Sequence, residues 1–169
     1  MTAAAAACLR QVLEASMLLV AAGGEGSTTF LQQFNGVYLL DSSTIPLPDV
    51  WEQAWSGGGR RAGMKVQTQW DYQGGQLHFS LPPARRHDAG LPSALLPQGA
   101  IRITDSAYFD VGRLQALHEQ GSFYLTRVPC KVRLFDRFGR QWQLSHFLQH
   151  VAHPHFDGQV TLTRQGLHC

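Results

Sequence analysis

Charged residues are scarce in this sequence: they make up 15% of its 169 residues, whereas about a quarter is typical of soluble domains. Lys and Arg total 14 and Asp and Glu total 12, so the formal net charge is only +2. With 44% hydrophobic residues, the chain is predicted to fold around a core rather than to be disordered or to form a coiled coil. The small net charge also excludes the strongly basic surface of a histone-like protein.

Cysteine is scarce as well. Cys8, Cys130 and Cys169 are an odd number at wide spacing, so they form neither a disulfide framework nor a Cys-x-x-Cys metal motif. This usage favours a reducing, cytoplasmic setting. Histidines cluster near residue 150, but no His-Glu-x-x-His motif accompanies them, and we predict no zinc site there. The histidines concerned are His146, His150, His153, His155 and His168.

Long hydrophobic runs are absent from the first part of the chain. The run over residues 17–22 is far shorter than the roughly 20 residues of a membrane span, and no basic segment precedes it as in a signal peptide. Apolar residues instead recur at helical spacing, which predicts an amphipathic helix and a loop over residues 1–30. We therefore expect no membrane partner. The apolar positions are Leu9, Val12, Leu13, Met17 and Val20.

Strand and helix patterns alternate from residue 31 to residue 129. Gly74 and Gly75 separate two alternating segments and predict an antiparallel hairpin. A strand–helix–strand pattern follows and predicts a parallel pair, so the whole segment predicts a mixed α/β sheet. Pro46 and Pro48 are expected to stop the first strand. The predicted strands are 37–41, 64–72, 76–81, 100–105 and 123–128, and the predicted helix is 111–120.

The pattern becomes rich in strands after residue 130. A hairpin is predicted over residues 132–135 and 141–144, and a last strand over residues 160–162. No further helix of good length is expected in this part.

Asp41 and Asp105 are the residues best placed for chemistry. Each directly follows a short apolar strand, and α/β proteins place their sites at such carboxyl ends. If the two strands are neighbours, the carboxylates repel each other unless they share a proton or bind a cation. Mg²⁺ prefers oxygen ligands of this kind, and a pair of such ions can promote phosphodiester cleavage. The alternative is that both aspartates only cap turns.

Three segments of the chain, residues 31–51, 60–88 and 96–129, resemble the catalytic domain of DDE transposases of bacterial insertion sequences. The likeness is strongest to the family typified by insertion sequence four. It rests on an ordered series: Asp-Ser-Ser-Thr after a buried strand, Gly-Met-Lys before a Trp-Asp hairpin, Arg-His-Asp, and Asp-x-x-Tyr-Phe. The resemblance covers about residues 34–129, with a looser match towards the end.

The resemblance implies an α/β fold of the RNase H-like type, with a mixed sheet and flanking helices. Residues 31–129 would be part of the catalytic domain, and residues 130–169 the start of a β-rich insertion domain. Asp41 and Asp105 would be catalytic residues and ligands of Mg²⁺, with Mn²⁺ as a substitute. The third acidic residue of the family, a Glu on a later helix, has no match here, so the chain is expected to be a fragment of the catalytic domain.

Function and partners follow from the same resemblance. The implied activity is metal-dependent DNA cleavage and strand transfer during transposition, with element ends and target DNA as partners. A homo-oligomer and a place in the bacterial cytoplasm, with the nucleoid, are further expectations. Two alternatives stay open: an inactive remnant that binds DNA or transposase, and a separate RNase H-like nuclease whose third carboxylate is Asp110 or Glu119.

Basic and aromatic residues near these motifs are weaker candidates. Arg60, Arg61, Lys65 and Arg127 are predicted to contact DNA phosphates, which positions DNA without reading its sequence. The alternative is that the arginines are merely solvated; the same applies to Arg85 and Arg86. For the aromatic pair Tyr108 and Phe109, core packing is the favoured interpretation and base stacking the alternative.

Overall fold

The computed structural model describes residues 30–58, 62–90, 93–136, 138–151 and 160–163, together with residues 8, 11, 12, 14–16, 19 and 158. The described positions between 8 and 19 are helical, as the apolar spacing predicted. Within the described ranges no helix is long and apolar enough to cross a membrane.

A five-stranded mixed sheet forms the centre of the protein, in the order β3-β2-β1-β4-β5. Strand β1 pairs antiparallel with β2 and parallel with β4, β2 pairs antiparallel with β3, and β4 pairs parallel with β5. The mixed α/β sheet that the sequence predicted is therefore present. The strands are β1 (Val37–Pro46), β2 (Gly63–Asp71), β3 (Leu77–Ser80), β4 (Ile101–Thr104) and β5 (Phe123–Thr126).

Local chemistry explains the tight turn between β2 and β3. The Asp71 carboxylate accepts hydrogen bonds from the backbone N–H groups of Gln73 (3.1 Å) and Gly74 (2.8 Å). Gly75 has a φ of 67°, a left-handed conformation that favours glycine. The two glycines therefore mark the turn, as expected from the sequence.

Helix α1 (Val111–Glu119) connects the parallel strands β4 and β5. Asp110 caps its first turn by accepting a 3.1 Å hydrogen bond from the N–H of Arg113. The helix ends before Gly121, whose φ of 70° takes the chain out of the helix. Its buried residues, Leu114 and Leu117, face the sheet.

One side of the sheet, which we call the helix face, is covered by α1 and by the described residues of the segments 84–90 and 93–96. Tyr38 of β1 packs here against the buried cluster of Leu96, Ala100 and Leu117. Arg102 of β4 also lies on this face and donates a 2.6 Å hydrogen bond to the Ala94 carbonyl. Burial, reinforced by the charge of Arg113, lowers the pKa of Arg102 to about 10.

The opposite side, which we call the aspartate face, carries Val37, Leu39 and Asp41 of β1 and the residues in register with them. It is mostly apolar but less covered by the described part of the chain. Phe123 and Leu125 on the edge strand β5 are 54% and 55% exposed.

Strand β1 is twice as long as the sequence predicted. It continues through Asp41 and ends at Pro46, so the predicted end at residue 41 was wrong, whereas Pro46 is indeed the last residue of the strand. Among the described residues, the strand has a neighbour only on the β2 side beyond Leu40. Because the N–H of Leu47 donates towards that side, the nitrogen of Pro46 faces the open side, where no N–H is needed.

A second, three-stranded antiparallel sheet follows, in the order β7-β6-β8. Its strands are β6 (Arg133–Phe135), β7 (Gln141–Gln143) and β8 (Thr161–Thr163), close to the predicted positions. The sequence pattern did not predict the short helix α2 (Leu144–His150) that comes directly after β7. Contacts within this segment accompany the helix: the Trp142 ring packs edge-on against the rings of Phe147 and His150.

Candidate functional site

Asp41 and Asp105 lie side by side where the parallel pairing of β1 and β4 ends. The last paired residues are Leu40 and Thr104, so each aspartate occupies the next position along its strand. Neighbouring strands are about 4.8 Å apart and residues in register share a face, so both aspartates belong to the aspartate face. Both are exposed. Strands β1 and β4, whose relative position the sequence did not predict, are therefore neighbours.

The Asp41 carboxylate makes no hydrogen bond or ion pair with the described part of the chain. Its backbone is held by β2, where the Thr68 hydroxyl donates to the Asp41 carbonyl at 3.4 Å. The side chain therefore projects from a continuous strand and is not used in a turn. This differs from the alternative in which Asp41 caps a turn.

Asp105 is held more firmly. One carboxylate oxygen accepts a 2.9 Å hydrogen bond from the N–H of Ala107 and caps the short 3-10 turn Ser106–Tyr108. The Thr126 hydroxyl of β5 donates to the Asp105 carbonyl at 3.1 Å. Asp105 thus does cap a turn, as in the alternative in which both aspartates cap turns, while its carboxylate stays exposed beside Asp41.

Arg127 lies in the same row as the two aspartates. Thr104 pairs with Thr126 in the parallel ladder of β4 and β5, so Arg127 follows β5 at the position where Asp105 follows β4. Its side chain is exposed. The structure thus brings one of the four predicted DNA-contacting residues beside the aspartates.

The other predicted basic contacts have different surroundings. Lys65 lies on β2, on the helix face, and is nearly buried, with its ammonium group 2.8 Å from the Asp88 carboxylate. Arg60 and Arg61 lie outside the described residues. Arg85 and Arg86 are exposed on the segment that follows β3.

Asp88 is a member of the site region that sequence reasoning did not single out. Its carboxylate accepts hydrogen bonds from the Ser42 hydroxyl (2.7 Å) and from Lys65. Burial alone would raise the pKa of Asp88, but the hydrogen bonds from Lys65 and Ser42 outweigh it and lower the pKa below its ordinary value. The only sequence signal was its place in Arg-His-Asp, which could not indicate contacts with residues 23 and 46 positions earlier.

Tyr108 is buried between these groups. Burial is the main cause that raises the pKa of Tyr108 to about 12, and the neighbouring Ser42 hydroxyl opposes the rise. Its hydroxyl forms no hydrogen bond of good geometry with the described residues. The favoured interpretation of core packing therefore agrees with its position. Three nearby carboxylates also raise its pKa: Asp88, Asp41 and Asp105.

The donor set of the site fits a hard divalent cation such as Mg²⁺. It offers exposed carboxylate oxygens from two adjacent strands, and oxygen is the ligand type that Mg²⁺ prefers. The described residues contain no group of three or more acidic, histidine or cysteine side chains arranged to hold a metal. Asp110 caps α1, and Glu119 lies at its far end, about 13 Å along the axis.

The predicted absence of zinc rests on the sequence alone. His146 and His150 lie on α2, where a ring nitrogen of His150 is 3.2 Å from the His146 carbonyl. The other histidines of that cluster, together with Cys169, fall outside the described residues.

Fold and site define an α/β protein in which paired carboxylates stand at the carboxyl ends of adjacent parallel strands. Residues 32–168 match the family described as Transposase DDE domain, and the chain belongs to this family. The resemblance inferred from the ordered motifs is therefore confirmed.

Named relatives point in the same direction. The chain is 24% identical over 116 residues to the transposase for insertion sequence element IS231F of Bacillus thuringiensis subsp. israelensis. It is 28% identical over 116 residues to the transposase for element IS231B of Bacillus thuringiensis subsp. berliner. Each match covers 64% of this chain and 24% of the relative, so the chain spans about a quarter of the length of these relatives.

Proposed function

We propose that this chain carries the two-aspartate part of the catalytic centre of a DNA transposase, in which Asp41 and Asp105 bind Mg²⁺ or Mn²⁺. The observation that carries the proposal is their register: each aspartate stands one residue beyond the last pair of the parallel ladder. Membership of the transposase DDE family supports the interpretation of these two aspartates as catalytic, metal-binding residues.

Charge explains why the two aspartates suit a metal. At the spacing of neighbouring strands, about 5 Å, two carboxylates repel by roughly 0.8 kcal/mol in bulk water and by about 3 kcal/mol at an effective dielectric constant of 20. A divalent cation between them removes this repulsion. When bound, it would supply a Lewis acid that activates water and neutralises charge on a leaving phosphate oxygen.

The protein's own contribution is to hold the carboxylates and to position DNA. The turn after Asp105 and the β2 side of Asp41 fix the two backbones, so the carboxylates need little reorganisation to share a cation. Arg127, exposed in the same row, is suited to contact a phosphate next to the metal. Lys65 would have to leave its ion pair with Asp88 to do the same.

The finer parts of the proposal come from the resemblance. The five-stranded sheet would be part of an RNase H-like catalytic domain, and the second sheet the start of a β-rich insertion domain. The DNA would be the ends of an insertion sequence and its target, with cleavage followed by strand transfer. A homo-oligomer acting on DNA in the bacterial cytoplasm completes this picture.

Metal binding is the direct test. The 169-residue chain should bind Mn²⁺ saturably, as measured by the loss of the electron paramagnetic resonance signal of free Mn²⁺. Asp41→Asn and Asp105→Asn should each abolish this binding, whereas Asp49→Asn, a change in an exposed carboxylate elsewhere, should not. Equal Mn²⁺ binding by the parent and Asp41→Asn would contradict the proposed site.

DNA assays separate the alternatives for the activity. Duplex carrying element ends should be retained in a gel-shift assay, and Arg127→Ala should weaken retention and reduce the salt dependence by about one phosphate contact. Arg133→Ala, an exposed arginine on β6, is the matched control. Retention without Mg²⁺-dependent cleavage would favour the binding remnant, and cleavage of arbitrary DNA by this chain would favour the separate nuclease.

A further inference from the structure

In the described part of the chain, the segment of β1 that carries Asp41 is paired with a strand on one side only. The β4 pairing ends at Leu40, so beyond that point no described strand pairs with the backbone groups that β1 directs away from β2. On the helix face of this segment, the Ser42 hydroxyl donates a 2.7 Å hydrogen bond to Asp88. Ser42 follows Asp41 directly, so this bond acts at the residue next to the site.

Asp88 is itself anchored to a second strand. The same carboxylate oxygen that accepts from Ser42 lies 2.8 Å from the ammonium group of Lys65 on β2. Lys65 also donates a 2.7 Å hydrogen bond to the carbonyl of Arg86, two residues before Asp88. The side chain of Lys65 is only 9% exposed, so water competes little for these bonds.

The third connection leads to Asp105. The 3-10 turn Asp88–Gly90 packs against the 3-10 turn Ser106–Tyr108, which Asp105 caps. Tyr108, the last residue of the second turn, is buried, which is the main cause of its raised pKa, and the nearby Asp88 carboxylate is a further cause. Asp88 therefore contacts the element that carries Asp41 and lies against the turn that follows Asp105.

We propose that Asp88 is a positioning residue: it holds Ser42 and the Ser106–Tyr108 turn in place, and so sets the separation of Asp41 and Asp105. Asp88 does not act as a third metal ligand, because successive side chains of β1 alternate in direction and Ser42, with Asp88, is on the helix face. Its charge is balanced by the ion pair with Lys65 on the same face. This inference rests on the proposed metal function of the two aspartates.

The test measures Mn²⁺ affinity by the resonance signal of free Mn²⁺ on the full 169-residue chain, with folding checked by circular dichroism. Ser42→Thr and Ser42→Val have the same shape, but only threonine keeps the hydroxyl. We expect Ser42→Val to weaken Mn²⁺ binding about 10-fold, the scale seen for groups that orient metal ligands, and Ser42→Thr to restore it. A purely structural effect of side-chain shape would affect both variants equally.

Asp88→Ala provides the second arm. It removes the acceptor of the Ser42 hydroxyl and the partner of Lys65, so it should weaken Mn²⁺ binding at least as much as Ser42→Val. Adding Ser42→Val to Asp88→Ala should weaken binding no further, because the acceptor is already gone. The matched controls, Asp49→Asn and Ser43→Ala, should bind as the parent does. Parent-like affinity in a folded Ser42→Val or Asp88→Ala protein overturns the positioning role and leaves the metal site standing. If the parent shows no Mn²⁺ binding that depends on Asp41, the proposed function and this inference both fall.

Discussion

Replacing Asp41 by asparagine should stabilise the protein when no divalent metal is present. The variant keeps the shape of the side chain and removes one of two neighbouring negative charges on the aspartate face. Asp41 is the cleaner choice of the pair, because Asp105 also caps the following turn and its loss would mix two effects.

The magnitude follows from the register. The two aspartates follow neighbouring strands, which lie about 5 Å apart, and both are exposed, so the repulsion lies near the low end of the range from about 0.8 to 3 kcal/mol. We therefore expect Asp41→Asn to raise the free energy of unfolding by about 1 kcal/mol. For a chain of this size, that corresponds to a Tm increase of about 2–4 °C.

Bound metal should make the parent more stable than Asp41→Asn, which reverses the order expected without metal. At about ten times the dissociation constant, a bound ion stabilises the parent by about 1.4 kcal/mol, whereas the variant should gain almost nothing. Thermal unfolding followed by circular dichroism, in EDTA and in Mn²⁺, measures both effects, with Asp49→Asn as the control that should change neither. If Asp41→Asn lowered the Tm in EDTA, or gained as much from Mn²⁺ as the parent, the two carboxylates would not share one site.

Two further predictions concern the support of the site. Gly99→Ala should lower the free energy of unfolding by about 2 kcal/mol, because φ is 78° there and a Cβ would lie 2.6 Å from the Asn35 amide nitrogen. The control is Gly90→Ala, where a Cβ would have no atom within 4 Å, and it should change the free energy of unfolding by less than about 0.5 kcal/mol. Urea unfolding measures both variants. Because the pKa of Asp88 is lowered in the fold, its carboxylate stabilises the protein above its unfolded pKa of about 3.9 and loses this effect as the pH falls through the folded pKa. The difference in unfolding free energy between the parent and Asp88→Asn should therefore shrink below about pH 4, and a difference that grew on acidification would refute the Lys65–Asp88 interaction.

Much of the sheet could be predicted because its signals are local. The glycines after β2 and the Asp110 cap of α1 act within a few residues, and the sequence pattern placed each element close to its position. The length of β1 could not be predicted in this way. Whether the strand can continue past Asp41 as far as Pro46 depends on which side of that strand has a neighbour, and a pattern along the chain carries no such information.

The site shows the same division. The amino-acid sequence by itself determined that Asp41 and Asp105 follow short apolar strands, since periodicity and residue type are local properties of the chain. Only the tertiary structure decided that these strands are parallel neighbours in a register that aligns the two aspartates with Arg127. It also placed Asp88 against Ser42 and Lys65, because hydrogen bonds between residues 46 and 23 positions apart form only when folding brings their segments together.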